Sequence, residues 1–151
     1  MADKKKFTIK GVKNDLSYCE AGKIILSSKL NEIFILIAEL FEDDCSENIH
    51  KLRIGLRRFR YVFEVFCDCY NKKLFNNVYK KVKYLQDLIG ECRDLDVLGL
   101  KVNEIAKGTN TKIPKYFFKK IDEERLKSRQ IIKLELIKFV GDKNVNSLLI
   151  N

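Results

Sequence analysis

Tryptophan is absent from the 151 residues, and proline, histidine and methionine each occur once, at Pro114, His50 and Met1. A single proline leaves few of the breaks that a chain of many short strands requires, so long uninterrupted elements are expected. There is no Gly-rich phosphate loop and no nucleophile elbow, and a lone histidine has no second histidine to share catalysis or a metal. The nearest paired carboxylates, Asp94 and Asp96, project about 200° apart on a helix and would share neither a metal nor a proton. No enzyme, metal or cofactor is expected. No run of 18 apolar residues exists to span a membrane. The opening "MADKKKFTIK" is lysine-rich but lacks the apolar stretch of a secretory signal.

The five cysteines (Cys19, Cys45, Cys67, Cys69 and Cys92) are odd in number and scattered. Reduced thiols in a cytoplasmic protein are therefore expected rather than a disulfide framework. Cys67 and Cys69 form a C-x-C without the second Cys or His pair of a zinc site.

What is present is enough apolar material for one core, at 46% of residues, and an excess of positive charge. Thirty Lys and Arg against 21 Asp and Glu give +9 and a pI near 9.3. Such a balance suits a polyanionic partner and says nothing of the fold.

Stretches with a 3.6-residue period predict an all-α protein of four helices. The first runs from Leu16 to about Phe41 and ends at the acidic "EDDCSE". The second takes Ser46 as its N-cap and continues to about Cys69. The third covers Lys73 to Lys107 and stops at Gly108, and the fourth runs from about Pro114 to Gly141. Short connections predict an antiparallel up-down four-helix bundle over residues 16–141. Residues 1–15, five of whose first thirteen are lysines, form a basic arm, and 142–151 a tail.

The stretch "ENIHKLRIGLRRFRYVFEVF" is the most informative. From Lys51 to Phe63 it holds five cations and no acid. On a helical wheel, Ile49, Leu52, Leu56, Phe59, Phe63 and Phe66 form the core stripe. His50, Arg53, Arg57, Arg60 and Glu64 form a second stripe beside it, and Ile54, Tyr61 and Val65 a third, so the basic row is bordered by apolar residues on both sides. Arg58 falls off the row. The other helices also turn cations toward apolar sectors: Lys23 in the first, within a core sector of Leu26, Leu30, Ile33, Phe34, Ile37 and Phe41, Lys81 and Arg93 in the third, Arg125 and Arg129 in the fourth. Desolvating unpaired cations is costly, and Asp94, Asp96 and Glu91 neutralise only part of the set. A cationic channel for phosphate oxygens fits, since guanidinium forks pair them bidentately.

Two motifs carry a family resemblance. One reads His50, Arg53, Ile54, Arg57, Arg58, Phe59, Arg60. The other follows about thirty residues later as Leu85, Ile89, Gly90, Arg93, Asp94, Leu95, Asp96, Val97, Leu98. Together they resemble the CHAD family, the conserved-histidine α-helical domains, directly over residues 46 to 100. The resemblance implies a helical domain that binds inorganic polyphosphate in a basic pore. It implies His50, Arg53, Arg57, Arg58, Arg60 and Arg93 as ligands of the polymer, and association with CYTH-type triphosphatase domains or polyphosphate granules. Lys23, Lys81, Arg125 and Arg129 are added from the helical phases, and Asp94 and Asp96 are taken to orient the arginines. CHAD domains usually hold two four-helix bundles where one is present here. A homodimer in which two basic faces meet is therefore expected.

Two rival readings stand beside this one. "HKLRIG" is similar to the segment around the phospho-acceptor of histidine phosphotransfer proteins, which would make His50 that acceptor. Such a site needs an accessible imidazole among small residues, and the run here continues into arginines. Nucleic-acid binding fits the charge, but no DNA- or RNA-binding motif is present, and aromatics at core spacing pack rather than stack on bases.

Overall fold

The computed structural model describes residues 9–150. Among them the chain is all-α: α1 (Tyr18–Glu42), α2 (Ser46–Val65), a 3₁₀ turn (Cys67–Cys69), α3 (Lys72–Gly108), α4 (Lys115–Val140) and a short α5 (Lys143–Asn146). The expected arm lies partly outside the described residues. From Ile9 the chain turns at Gly11, whose φ of +95° is one that side-chain-bearing residues avoid. It then enters α1 through a capping box in which Ser17 and Glu20 satisfy each other's backbone N–H groups.

Ser46 is not the N-cap expected of it. Cys45 caps α2 without a side-chain hydrogen bond, and the Ser46 hydroxyl instead accepts from Arg129 Nη2 at 3.2 Å. The helix also stops at Val65 and continues only as the 3₁₀ turn: Phe66, at φ −99° and ψ 21°, leaves helical geometry, and its ring lies against Gly22 of α1.

Consecutive helices pack on one another, α1 on α2, α2 on α3 and α3 on α4, with a thinner contact between α1 and α4. Phe34 meets Phe139 edge-on across that thin contact. The core gathers the expected α2 stripe with Leu26, Leu30 and Ile33 of α1, Val82 and Ile89 of α3, and Ile132 and Leu136 of α4. At the end of α1, Leu40 is buried and Phe41 exposed, one residue off the expected phase. Residues 142–150 also join the body. Asp142 caps α5 by accepting from the N–H groups of Asn144 and Val145. Val145 and Leu148 are buried, and the Ile150 N–H donates to Ser27 Oγ at 2.9 Å.

The expectation of five reduced thiols is corrected: Cys19 and Cys69 are disulfide-bonded, with Cα atoms 5.3 Å apart. The packing of α1 on α2 brings the first turn of α1 against the 3₁₀ turn, and a separation of 50 residues hides that proximity from the sequence. On the next turn Gly22 allows the Phe66 ring onto the α1 backbone, where an added Cβ would lie 2.4 Å from the ring. Tyr18 packs beside the same ring and donates from its hydroxyl to the Val65 carbonyl at 2.6 Å. Cys45, Cys67 and Cys92 are free, and burial pushes the Cys92 thiol up. No helix among the described residues is long and apolar enough to cross a membrane.

Candidate functional site: a basic seam and a buried ion cluster

The cations singled out in the sequence divide into two groups in space. The first lies on the seam between α2 and α3. Its register is fixed by two contacts. Near the end of α2, Glu64 Oε1 accepts from the Tyr79 hydroxyl at 2.7 Å. Further back, Arg53 passes over Gly90, with Nε and Nη2 both 3.8 Å from where a Cβ would stand. Positions 53 to 64 and 79 to 90 span the same eleven steps in opposite directions. Carried three residues further, the register sets His50 across from Arg93; carried back, it sets Arg57 across from Gln86. The two family motifs thus meet at Arg53 and Gly90.

Along this seam the cations have few partners. Among the described residues, Arg53, Arg57 and Arg58 form no ion pair with a carboxylate, whereas Arg60 stands 3.4 Å from Glu64 Oε1. That approach is electrostatic, since Arg60 Nε is buried without hydrogen-bond geometry. The guanidinium also lies 5.1 Å from the centre of the Tyr61 ring, a cation–π distance. The Tyr79 phenol is held above its ordinary value, chiefly by its hydrogen bond to Glu64. His50 is half-buried, and its Nδ1 is enclosed with no hydrogen-bond partner. Arg57 and Arg58 are exposed. Arg58 shares its helical face with Ile54, Tyr61 and Val65 rather than with the basic row.

The second group is an ion cluster centred on Asp96, whose side chain is 2% exposed. Arg125 Nε donates to its Oδ1 at 2.6 Å. Arg129 Nη2 and Arg93 Nη1 stand 3.6 and 3.9 Å from its Oδ2, which forms no hydrogen bond. Arg129 also donates to the carbonyl oxygen of Asp44 and, at 2.6 Å, to its carboxylate. Lys133 lies 2.7 Å from that carboxylate. Burial raises the Asp44 carboxyl, but the Lys133 hydrogen bond and the Arg129 charge outweigh it and leave the group below its ordinary value. The cluster ties α4 to α3 and to the α1–α2 connection.

The remaining expected residues fall in neither place. Lys81 is paired with Asp142. Lys23 is exposed rather than turned into the core, because at that level the inward position is Gly22 under Phe66. Asp94 is exposed and pairs with no arginine among the described residues, whereas Asp96 is approached by three. The 200° between the two aspartates sends one inward and the other to solvent. Asp44 and Lys133 were not foreseen. The acidic run "EDDCSE" reads as a helix end, and no spacing links it to residues some 85 positions later.

The sum of this geometry is an open cationic seam, which can take anionic oxygens, beside a cluster in which Arg125 and Arg129 are matched by carboxylates and Arg93 stands at the edge. A family model described as the CHAD domain matches residues 18–102, more than half of the chain. The match takes in α1 as well as the two motifs and ends before α4. No curated protein and no solved structure matches.

Proposed function

The chain belongs to the CHAD family, and on that premise we propose that it binds inorganic polyphosphate, or a similar phosphate polyanion, along the α2–α3 seam. The carrying observation is the contrast between the two groups of arginines. Arg125 and Arg129 are matched by Asp96 and Asp44, while Arg53 and Arg57, on the row that ends in the Arg60–Glu64 pair, have no carboxylate partner among the described residues. A folded chain keeps like charges side by side at a cost in stability, and an anion that bridges them recovers it.

In this reading the four long helices form an up-down bundle whose α2–α3 face is the binding groove. Arg53, Arg57 and Arg93 supply bidentate donors to successive phosphoryl groups. His50 adds a donor across from Arg93, and Arg60 is steered by Glu64. Asp96 acts from below by holding the cluster to which Arg93 belongs. The role is binding rather than catalysis, and granule association would follow from it. The phosphotransfer reading is weakened by the half-buried setting of His50 and by the arginines beside it.

The test is a competition. A labelled single-stranded oligonucleotide is bound and then challenged with polyphosphates of several lengths at fixed salt, because both polymers bind with counterion release. Long polyphosphate should displace the oligonucleotide and bind more tightly. Failure to displace it, or equal affinity, would refute the proposal in favour of nucleic acid. Acid-labile phosphate appearing on His50 after incubation with a phosphorylated receiver domain would refute it in favour of phosphotransfer.

A further inference from the structure

The α2–α3 seam ends where α2 begins. Carried four residues beyond His50 and Arg93, the register sets Ser46 across from Val97, whereas α3 continues to Gly108. α4 accompanies it, since Lys115 starts a helix whose Arg125 meets Asp96. At the step between this longer pair and the first turn of α2 lies an open cavity of about 320 Å³, whose lining includes Ser46, Arg93, Asp96, Gly99, Ile121 and Arg125.

Its polar groups are mostly donors. Arg93 forms no hydrogen bond among the described residues, and its acid neighbour Asp96 Oδ2 stands 3.9 Å away. The Ser46 hydroxyl accepts from Arg129 Nη2 and has no acceptor for its own hydrogen among the described residues. The first N–H groups of α2 lack a side-chain cap, and a helix start offers such groups to an anion. Against these donors stands one orphaned acceptor. Asp96 Oδ2 is enclosed without a hydrogen bond, on a side chain 2% exposed, and a buried acceptor left unbonded is costly.

The charges add a second requirement. Arg93 on α3 and Arg125, Arg129 and Lys133 on α4 face Asp96, Asp122 and Asp44, so one cation is in excess. Glu47 on α2 is exposed, the buried Cys92 thiol is pushed up, and His50 lies across from Arg93. The complement of this cavity is a monoanion that carries one O–H. A terminal phosphoryl group has that form below about pH 6, whereas phosphoryl groups inside a chain have no hydrogen to give.

We propose that the cavity is an end site, which takes the terminal phosphoryl group of a polyphosphate chain lying in the seam. Its O–H donates to Asp96 Oδ2, and its other oxygens accept from Arg93, Ser46 and the first N–H groups of α2. Arg93 has no hydrogen bond to break in turning to the phosphoryl oxygens, and in turning it opens Oδ2 to the ligand. The end site rests on the reading of the seam as a polyphosphate groove, and it gives the bound chain a direction.

Calorimetry with a short linear polyphosphate of defined length, its ends either free or blocked as methyl esters, tests it. At about pH 5 the two chains carry nearly the same charge and differ in the end O–H. The free chain should then bind about tenfold more tightly. The ratio should fall toward one at pH 8, where the end has lost its hydrogen, and His50 acts on both chains and cancels. Gly99→Met fills the cavity, since an added Cβ there meets Ile121 Cγ2 at 3.9 Å, an ordinary contact. It should bring the ratio to one at pH 5 and leave affinity for the blocked chain unchanged. Asp96→Asn, measured where it is folded, replaces the acceptor by a donor and should also remove the preference. Equal affinities at pH 5, a ratio that rises with pH, or a preference that survives Gly99→Met would overturn the end site and leave the seam reading intact. If neither chain binds, the seam reading has failed, and pyrophosphate, which is two ends joined, decides the cavity. Pyrophosphate binding that Gly99→Met removes would support the end site, and any other result would overturn it.

Discussion

Arg125 Nε on α4 donates to Asp96 Oδ1 on α3 at 2.6 Å, on a carboxylate whose side chain is almost wholly buried. Arg129 approaches the other oxygen of the same group and reaches on to Asp44. This pair of aspartates fixes α4 to the rest of the molecule and removes two arginines from the set open to a ligand.

Removing a partner from a buried ion pair leaves an uncompensated charge. Arg129→Ala should therefore destabilise the fold by roughly 3 kcal/mol, seen as a lower denaturation midpoint in urea. Polyphosphate affinity, measured where the variant is fully folded, should stay within about twofold if the cluster is structural.

Arg57 should behave in the opposite way. It is exposed and unpaired, so Arg57→Ala should change stability by less than about 0.5 kcal/mol. It should weaken polyphosphate binding and lower the slope of log affinity against log salt by about one. Arg53→Ala should match it in binding. A slope that does not move would place these residues outside the groove.

Acid should unfold the protein through Asp44 and Asp142. Burial raises both carboxyls, but Lys133 and Arg129 in the first case, and Lys81 in the second, hold them below the ordinary aspartate value of 3.8. The unfolded chain then takes up protons before the folded one does. Their contribution is complete above that ordinary value and is lost as pH falls through the lower folded values. Urea midpoints measured from pH 7 downward should hold level and then drop below about pH 4, and Asp44→Asn should reduce the drop.

The Cys19–Cys69 bond closes a loop of about fifty residues that spans α1 and α2. In the chain-entropy account such a closure contributes about 4 kcal/mol. Reduction, or Cys19→Ser with Cys69→Ser, should lower the denaturation midpoint accordingly while polyphosphate affinity of the folded protein is kept. Equal stability in oxidised and reduced forms would mean that the bond adds nothing to the packing already present.

Gly22 offers a steric test of the same corner. The Phe66 ring occupies the space of a Cβ, so Gly22→Ala should cost about 1 to 3 kcal/mol by overpacking. The cost should shrink in Gly22→Ala with Phe66→Leu, as followed by thermal denaturation.

Much of the fold was legible in the sequence because helix periodicity is local. The stripe from Ile49 to Phe63 is buried as its spacing requires, and the starts and stops of the four long helices lie close to their breakers and caps. Where one residue of phase decided the outcome, at Phe41 and at Lys23, local pattern failed. The inward position there depends on what the neighbouring helix offers.

The sequence by itself determined the all-α character, the basic row on α2 and its match to a second motif on α3, because each follows from periodicity and spacing along one chain. Only the tertiary structure decided which cations are open. Arg53 and Arg125 look alike on a helical wheel, yet one lies over Gly90 without a carboxylate and the other is bonded to Asp96. The Cys19–Cys69 pair and the hold of Asp44 on Arg129 belong to the same class. Each joins residues 50 to 85 positions apart, and such neighbours are set by how helices pack rather than by the order of residues along them.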